Sequence, residues 1–95
     1  FSKFPEVRRD LSLLVNKSVS FDELKKIAVE SDNKILKLVN LFDVYQGDKL
    51  PEGKKSYALS FIMADDTKTL TDTYVDKVME KLMKSFTDKA GAEIR

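Results

Sequence analysis

Between Thr71 and Gly91 the chain spaces Val75, Val78, Met79, Leu82, Met83 and Phe86 three or four residues apart, which winds them into one apolar stripe on an α-helix. A long helix with a single apolar stripe needs another surface to cover that stripe. Its ends are marked as clearly as its face. Thr71 is placed to cap the N-terminus with Asp72 in the first turn, Leu70 can staple onto Val75, and Gly91 suits a C-terminal cap. The opposite face interleaves Lys77, Lys81, Lys84 and Lys89 with Asp76, Glu80 and Asp88, a pattern that suits a solvated face and not a phosphate track. Met79 and Met83 are expected to be core filler.

The covering surface is expected to be a sheet. In "DLSLLV" (Asp10 to Val15), Leu11, Leu13 and Val15 alternate with Asp10, Ser12 and Leu14, as in a strand with one buried face. "SFDELKKIAVES" then sets Ser20 and Glu23 at capping-box spacing and puts Phe21, Leu24, Ile27 and Ala28 on one helical stripe. "NKILKLVNLFDVY" (Asn33 to Tyr45) and "KKSYALSFIMA" are rich in β-branched, aliphatic and aromatic residues, and the "QGDKLPEG" loop joins them as an antiparallel pair. In the second of these Tyr57, Leu59, Phe61 and Met63 form the bulky, core-facing side, with Ser56, Ala58, Ser60 and Ile62 on the other. A short last strand in "AEIR" completes the order β-α-β-β-α-β. This predicts an α+β, ferredoxin-like sandwich, with a four-stranded antiparallel sheet and two helices on one face. Phe42, Val44, Tyr57, Leu59, Phe61, Leu11, Leu13, Ile27, Val78 and Leu82 are expected to share one core.

With 95 residues there is material for one domain, residues 1–95, that buries roughly 60–65% of its unfolded surface. The opening "FSKFPEVRRD" has no initiator Met and no secretory apolar segment, and is expected to belong to a longer protein. Neither cysteine nor histidine occurs. That removes disulfides, thiolate chemistry, the commonest general base and the commonest zinc ligands, so catalysis by this chain alone is not expected. Seventeen basic residues against sixteen acidic ones give a net charge of +1, too little for a broad field that would hold nucleic acid without specificity. No apolar run is long enough for a membrane span.

Side chains alternate along a strand, so Asp43 and Tyr45 should share the face away from the helices, about 7 Å apart. Phe42 and Val44 should take the core face. Ser56 and Ala58 on the neighbouring strand would complete a shallow platform beside the Tyr45 ring, of a shape that suits a nucleic-acid base. Each residue also has a bland reading. Tyr45 can be ordinary half-exposed packing, Asp43 a solvated carboxylate, and Asp65 and Asp66 a turn before the helix with no metal assigned. "KKSYALSF" matches the basic-aromatic octamer of RNA-recognition modules poorly, since Ser56 and Ala58 occupy its glycine positions.

"FPEVRRDLSLLV", "NLFDVYQG", "LPEGKKSYALSF" and "TKTLTDTYVDKVMEKL", in this order, resemble the ferredoxin-fold anticodon-binding domain that closes the β subunit of bacterial-type phenylalanyl-tRNA synthetase. The resemblance spans essentially the whole chain. It implies a cytoplasmic parent in which a catalytic α subunit uses ATP and Mg2+, two α and two β subunits assemble, and this domain, without a cofactor of its own, receives the anticodon loop of tRNA(Phe). By the same resemblance Asp43 is the anticodon-contacting carboxylate, Tyr45 the stacking ring, Ser56 a polar base contact and Ala58 its neighbour. A carboxylate with two acceptor oxygens matches the N1–H and N2 amino group of guanine, the first anticodon base, whereas adenine presents an acceptor there. Gln46 stands where some members carry Arg. Arg8 and Arg9 suit either a tie between elements or RNA. A ferredoxin-like module that binds a small ligand or a protein partner remains the alternative, since the fold alone does not decide function.

Overall fold

The computed structural model describes residues 4–95, so the first three residues of the expected 1–95 domain lie outside the described residues. Six elements follow one another: β1 (Val7–Asn16), α1 (Phe21–Ser31), β2 (Leu36–Tyr45), β3 (Lys54–Met63), α2 (Asp72–Ala90) and β4 (Glu93–Ile94). The helix ends are made as their sequences direct. Ser20 Oγ accepts from the Glu23 amide and Thr71 Oγ1 from the Tyr74 amide, each at 3.2 Å, which satisfies one orphan donor at each N-terminus. At the end of α2, Gly91 adopts φ 64° and its amide turns back to the Thr87 carbonyl at 3.2 Å, a conformation that glycine enters without steric cost. Leu70 and Val75 are both buried, as an N-terminal staple requires.

The sheet runs β2-β3-β1-β4, antiparallel throughout. This is the α+β, ferredoxin-like arrangement. Leu13 and Val15 of β1 and Tyr57, Leu59, Phe61 and Met63 of β3 pack with Leu24 and Ala28 of α1 and Val75, Val78, Met79, Leu82 and Phe86 of α2 in one cluster. Leu11, Phe21, Ile27 and Met83 close its margin. The rings of Phe61 and Phe86 meet at 6.1 Å with a 37° tilt, an aromatic contact between sheet and α2. Tyr57 enters this layer because its hydroxyl donates to the Val19 carbonyl at 2.9 Å, so its polar end is not stranded. Both helices therefore lie on one face. They also touch each other, where Ser85 Oγ donates to Ser31 Oγ at 3.1 Å.

Two of the expected core residues are elsewhere. Phe42 is 54% exposed and Val44 is 41% exposed, and neither joins the cluster. For Phe42 the cause lies in the register of β2 on β3, which slips between Leu36 and Leu38 and again between Leu41 and Asp43. Each slip inserts a residue and reverses which parity faces the helices. Val39 and Leu41 pair with the core-facing Phe61 and Leu59, whereas Val44 pairs with Tyr57 and Asp43 with Ala58. Phe42 is the extra residue of the second bulge. Its ring leaves the helix side and stands 5.7 Å from the guanidinium carbon of Arg8, a residue of the opposite face of β1. Val44 keeps the helix side but sits on the edge strand, beyond what the helices cover.

Candidate nucleic-acid interface

Away from the helices the sheet face is open. Its floor carries the small side chains Ser12 of β1 and Ser56, Ala58 and Ser60 of β3, with Leu14 opposite Ser56; Leu14, Ser56 and Ser60 are buried. The β2 side carries Phe42, Asp43 and Tyr45. Register places Asp43 directly opposite Ala58 and Tyr45 directly opposite Ser56, so these Cα atoms stand about 4.5–5.5 Å apart in pairs. All four expected site residues thus lie on one face, in two adjacent cross-strand pairs.

Asp43 owes this position to the bulge. Alternation carried on from Val39 and Leu41 would turn Asp43 and Tyr45 toward the helices, where an unpaired carboxylate would be costly. The extra residue at Phe42 turns them to the open side instead. Tyr45 is 42% exposed, with its ring available on that side. Among the described residues, Asp43 makes no ion pair and no side-chain hydrogen bond. An exposed carboxylate with both oxygens unengaged beside an aromatic ring can accept two parallel hydrogen bonds from a flat ligand lying on the ring.

The consecutive arginines of β1 divide their work. Arg8 points to the open face, where its Nε meets Asp10 Oδ1 at 2.9 Å and its guanidinium faces the Phe42 ring. Arg9 points to the helix side and reaches Asp72 Oδ1 at 3.7 Å in the first turn of α2. It ties β1 to that helix. Arg8 and Phe42 belong to the open face, although simple alternation puts Phe42 inside. The signal for Phe42 is in the sequence, because the apolar doublets Leu38-Val39 and Leu41-Phe42 break alternation where the register slips.

Beyond Tyr45 the β2–β3 connection forms a cleft of about 420 Å³, lined by Lys17, Gln46, Gly47, Asp48 and Lys54 among others. Its two lysines are balanced by Asp48 and Glu52. Among the described residues, Asp65 is the one group whose titration is clearly displaced. The Thr67 hydroxyl, donating at 2.6 Å, and the Thr67 amide, donating at 2.8 Å, hold its carboxyl below the ordinary carboxylate range. Asp65 therefore builds the turn between β3 and α2 that the sequence suggests. Among the described residues, no three His, Cys, Asp or Glu side chains converge as a metal cage, and no helix is long and apolar enough to cross a membrane.

Comparison with known proteins places the chain in a family. Residues 2–95 match the family model described as the ferredoxin-fold anticodon binding domain. The chain is 55% identical over 94 residues to the phenylalanine--tRNA ligase beta subunit of Bacteroides fragilis, a match covering 99% of this chain and 12% of that protein. The corresponding subunit of Bacteroides thetaiotaomicron is 53% identical over 94 residues, with the same coverage. That of Clostridium acetobutylicum is 41% identical over 93 residues, covering 98% of this chain and 12% of the relative. The chain spans about an eighth of the length of these relatives. With the strand order, the two-helix layer and the matched span in agreement, the chain belongs to the ferredoxin-fold anticodon-binding domain family.

Proposed function

We propose that this chain, residues 1–95, is one domain of a phenylalanine--tRNA ligase β subunit and that its open sheet face reads the anticodon of tRNA(Phe). The observation that supports this most is the grouping of Asp43, Tyr45, Ser56 and Ala58 on the sheet face away from the helices, with the Asp43 carboxylate exposed and unengaged. The first anticodon base lies on the Tyr45 ring, where stacking contributes about 1–3 kcal/mol. Asp43 accepts from the N1–H and N2 amino group of guanine, which repays both the loss of water and the repulsion from nearby phosphates. Ser56 hydrogen-bonds a following base, and Ala58 leaves room for the ring system.

Catalysis in this reading belongs to a separate α subunit, in a cytoplasmic assembly of two α and two β subunits that uses ATP and Mg2+. This chain's residues do not fit those groups, since no glycine-rich loop leads into α1 or α2 and no acidic cage is present among the described residues. The near-neutral net charge fits a domain that reads a few bases while the rest of the assembly holds the tRNA backbone.

The test is aminoacylation by the intact synthetase at sub-saturating tRNA. Tyr45→Ala is expected to lower kcat/KM for tRNA roughly 5- to 150-fold, with Tyr45→Phe mild because the ring remains. Asp43→Ala is expected to erode discrimination between guanine and adenine at the first anticodon position. Phenylalanine activation without tRNA should be unchanged in each variant. Wild-type aminoacylation by both alanine variants would remove the anticodon from this face.

A further inference from the structure

Glycine at position 47 has no backbone reason to be there. Gly53 and Gly91 occupy the left-handed region at φ 80° and 64°, but the φ of Gly47 is not positive. Nor does its turn ask for glycine. The Leu50 amide donates to the Gly47 carbonyl at 3.1 Å, which makes Gly47 the first residue of a four-residue turn, where Asp, Asn and Ser are the favoured types. The explanation lies in space. A Cβ at Gly47 would come within 2.6 Å of Tyr45 Cζ and closer still to the Tyr45 hydroxyl, whereas a Cβ at Gly53 or Gly91 would meet nothing.

The phenol of Tyr45 therefore extends along the chain and rests over the bare Cα of its second neighbour. A ring held in that way has its phenol end set against the Gly47 backbone. With a side chain beneath it, the ring has to lift or swing aside. We infer that Gly47 is the positioning residue for Tyr45: the missing side chain is the seat that holds the ring flat for the stacked base. This rests on the reading of the open face as the anticodon site. The atoms in collision are the far end of a rotatable side chain on an exposed strand end, so an added methyl group displaces the ring instead of disrupting the fold.

The experiment is a double-mutant cycle in the intact synthetase, comparing Gly47→Ala, Tyr45→Ala and the double variant. Gly47→Ala is expected to lower kcat/KM for tRNA about 3-fold or more, up to but not beyond the loss in Tyr45→Ala, while phenylalanine activation and the thermal midpoint stay unchanged. In the Tyr45→Ala background Gly47→Ala should add nothing, since no ring is left to displace. If Tyr45→Ala is impaired and Gly47→Ala is not, the seat is wrong and the stacking assignment survives. If the two losses multiply in the double variant, Gly47 acts through the loop itself and the inference is overturned. If Tyr45→Ala is neutral, the reading of the face fails and this inference falls with it.

Discussion

Phe42 and Leu82 are both large apolar residues, yet the structure gives them opposite prospects on substitution. Phe42 is 54% exposed, and the contact recorded for its ring is with Arg8. Phe42→Ala is expected to cost at most about 1 kcal/mol in denaturant unfolding, the scale of an exposed cation–π contact and a little surface packing. Leu82 is fully buried between α2 and the sheet, so Leu82→Ala leaves a cavity and is expected to cost about 2–5 kcal/mol. Equal losses for the two would mean that the second bulge of β2 is misplaced. The shared face of Asp43 and Tyr45 was legible because the two share parity with each other wherever the strand begins. What strict alternation misplaced was Phe42, the extra residue of the second slip.

The bulged strand also makes a prediction at the scale of the element. Deleting Phe42 removes the inserted residue and leaves Leu41 opposite Leu59 and Asp43 opposite Ala58 in unbroken alternation, so Asp43 and Tyr45 stay on the open face. A stable variant that keeps tRNA-dependent aminoacylation is the expected outcome, because the ladder loses only its unpaired residue and a largely exposed ring. Loss of aminoacylation together with a clear drop in stability would show that the second bulge of β2 is misplaced. The connection between β3 and α2 has its own marker in Asp65. Its carboxyl is held low by Thr67, so the turn's contribution is present above the ordinary carboxylate range and is lost as pH falls through the lowered value. Thr67→Val removes the hydroxyl donor and keeps the amide, and should raise the Asp65 titration midpoint seen by NMR toward the ordinary value.

For the whole molecule, charge sets the terms of binding. A net charge of +1, with Arg8 already beside Asp10, leaves few cations on the open face for phosphates. Binding of an anticodon stem-loop to this domain should therefore show a shallow salt dependence, with log K falling by about 1–2 per decade of salt for one or two phosphate contacts. A slope steeper than about −4 would point to a backbone-binding track outside the open face. The purified domain is expected to form no aminoacyl-adenylate, since the sequence has no histidine, no cysteine and no glycine-rich loop leading into a helix. Adenylate formation that survives rigorous purification would overturn that.

Local sequence determined both helices and their caps, the core face of β3, the order of elements and the chemistry this chain lacks. Those features depend on periodicity within one segment or on which residue types are present, and neither needs a partner to be read. The tertiary structure alone decided the parity of β2, because a bulge is a relation between two strands and is settled where one register fits the other. It also decided that Val44, on the helix side of an edge strand, stays wet, since coverage depends on how far the helix layer extends. It sorted Arg8 to the open face and Arg9 to α2. Finally, it gave Gly47 its meaning, because the constraint there is the space taken by the Tyr45 ring and not the backbone conformation of the glycine itself.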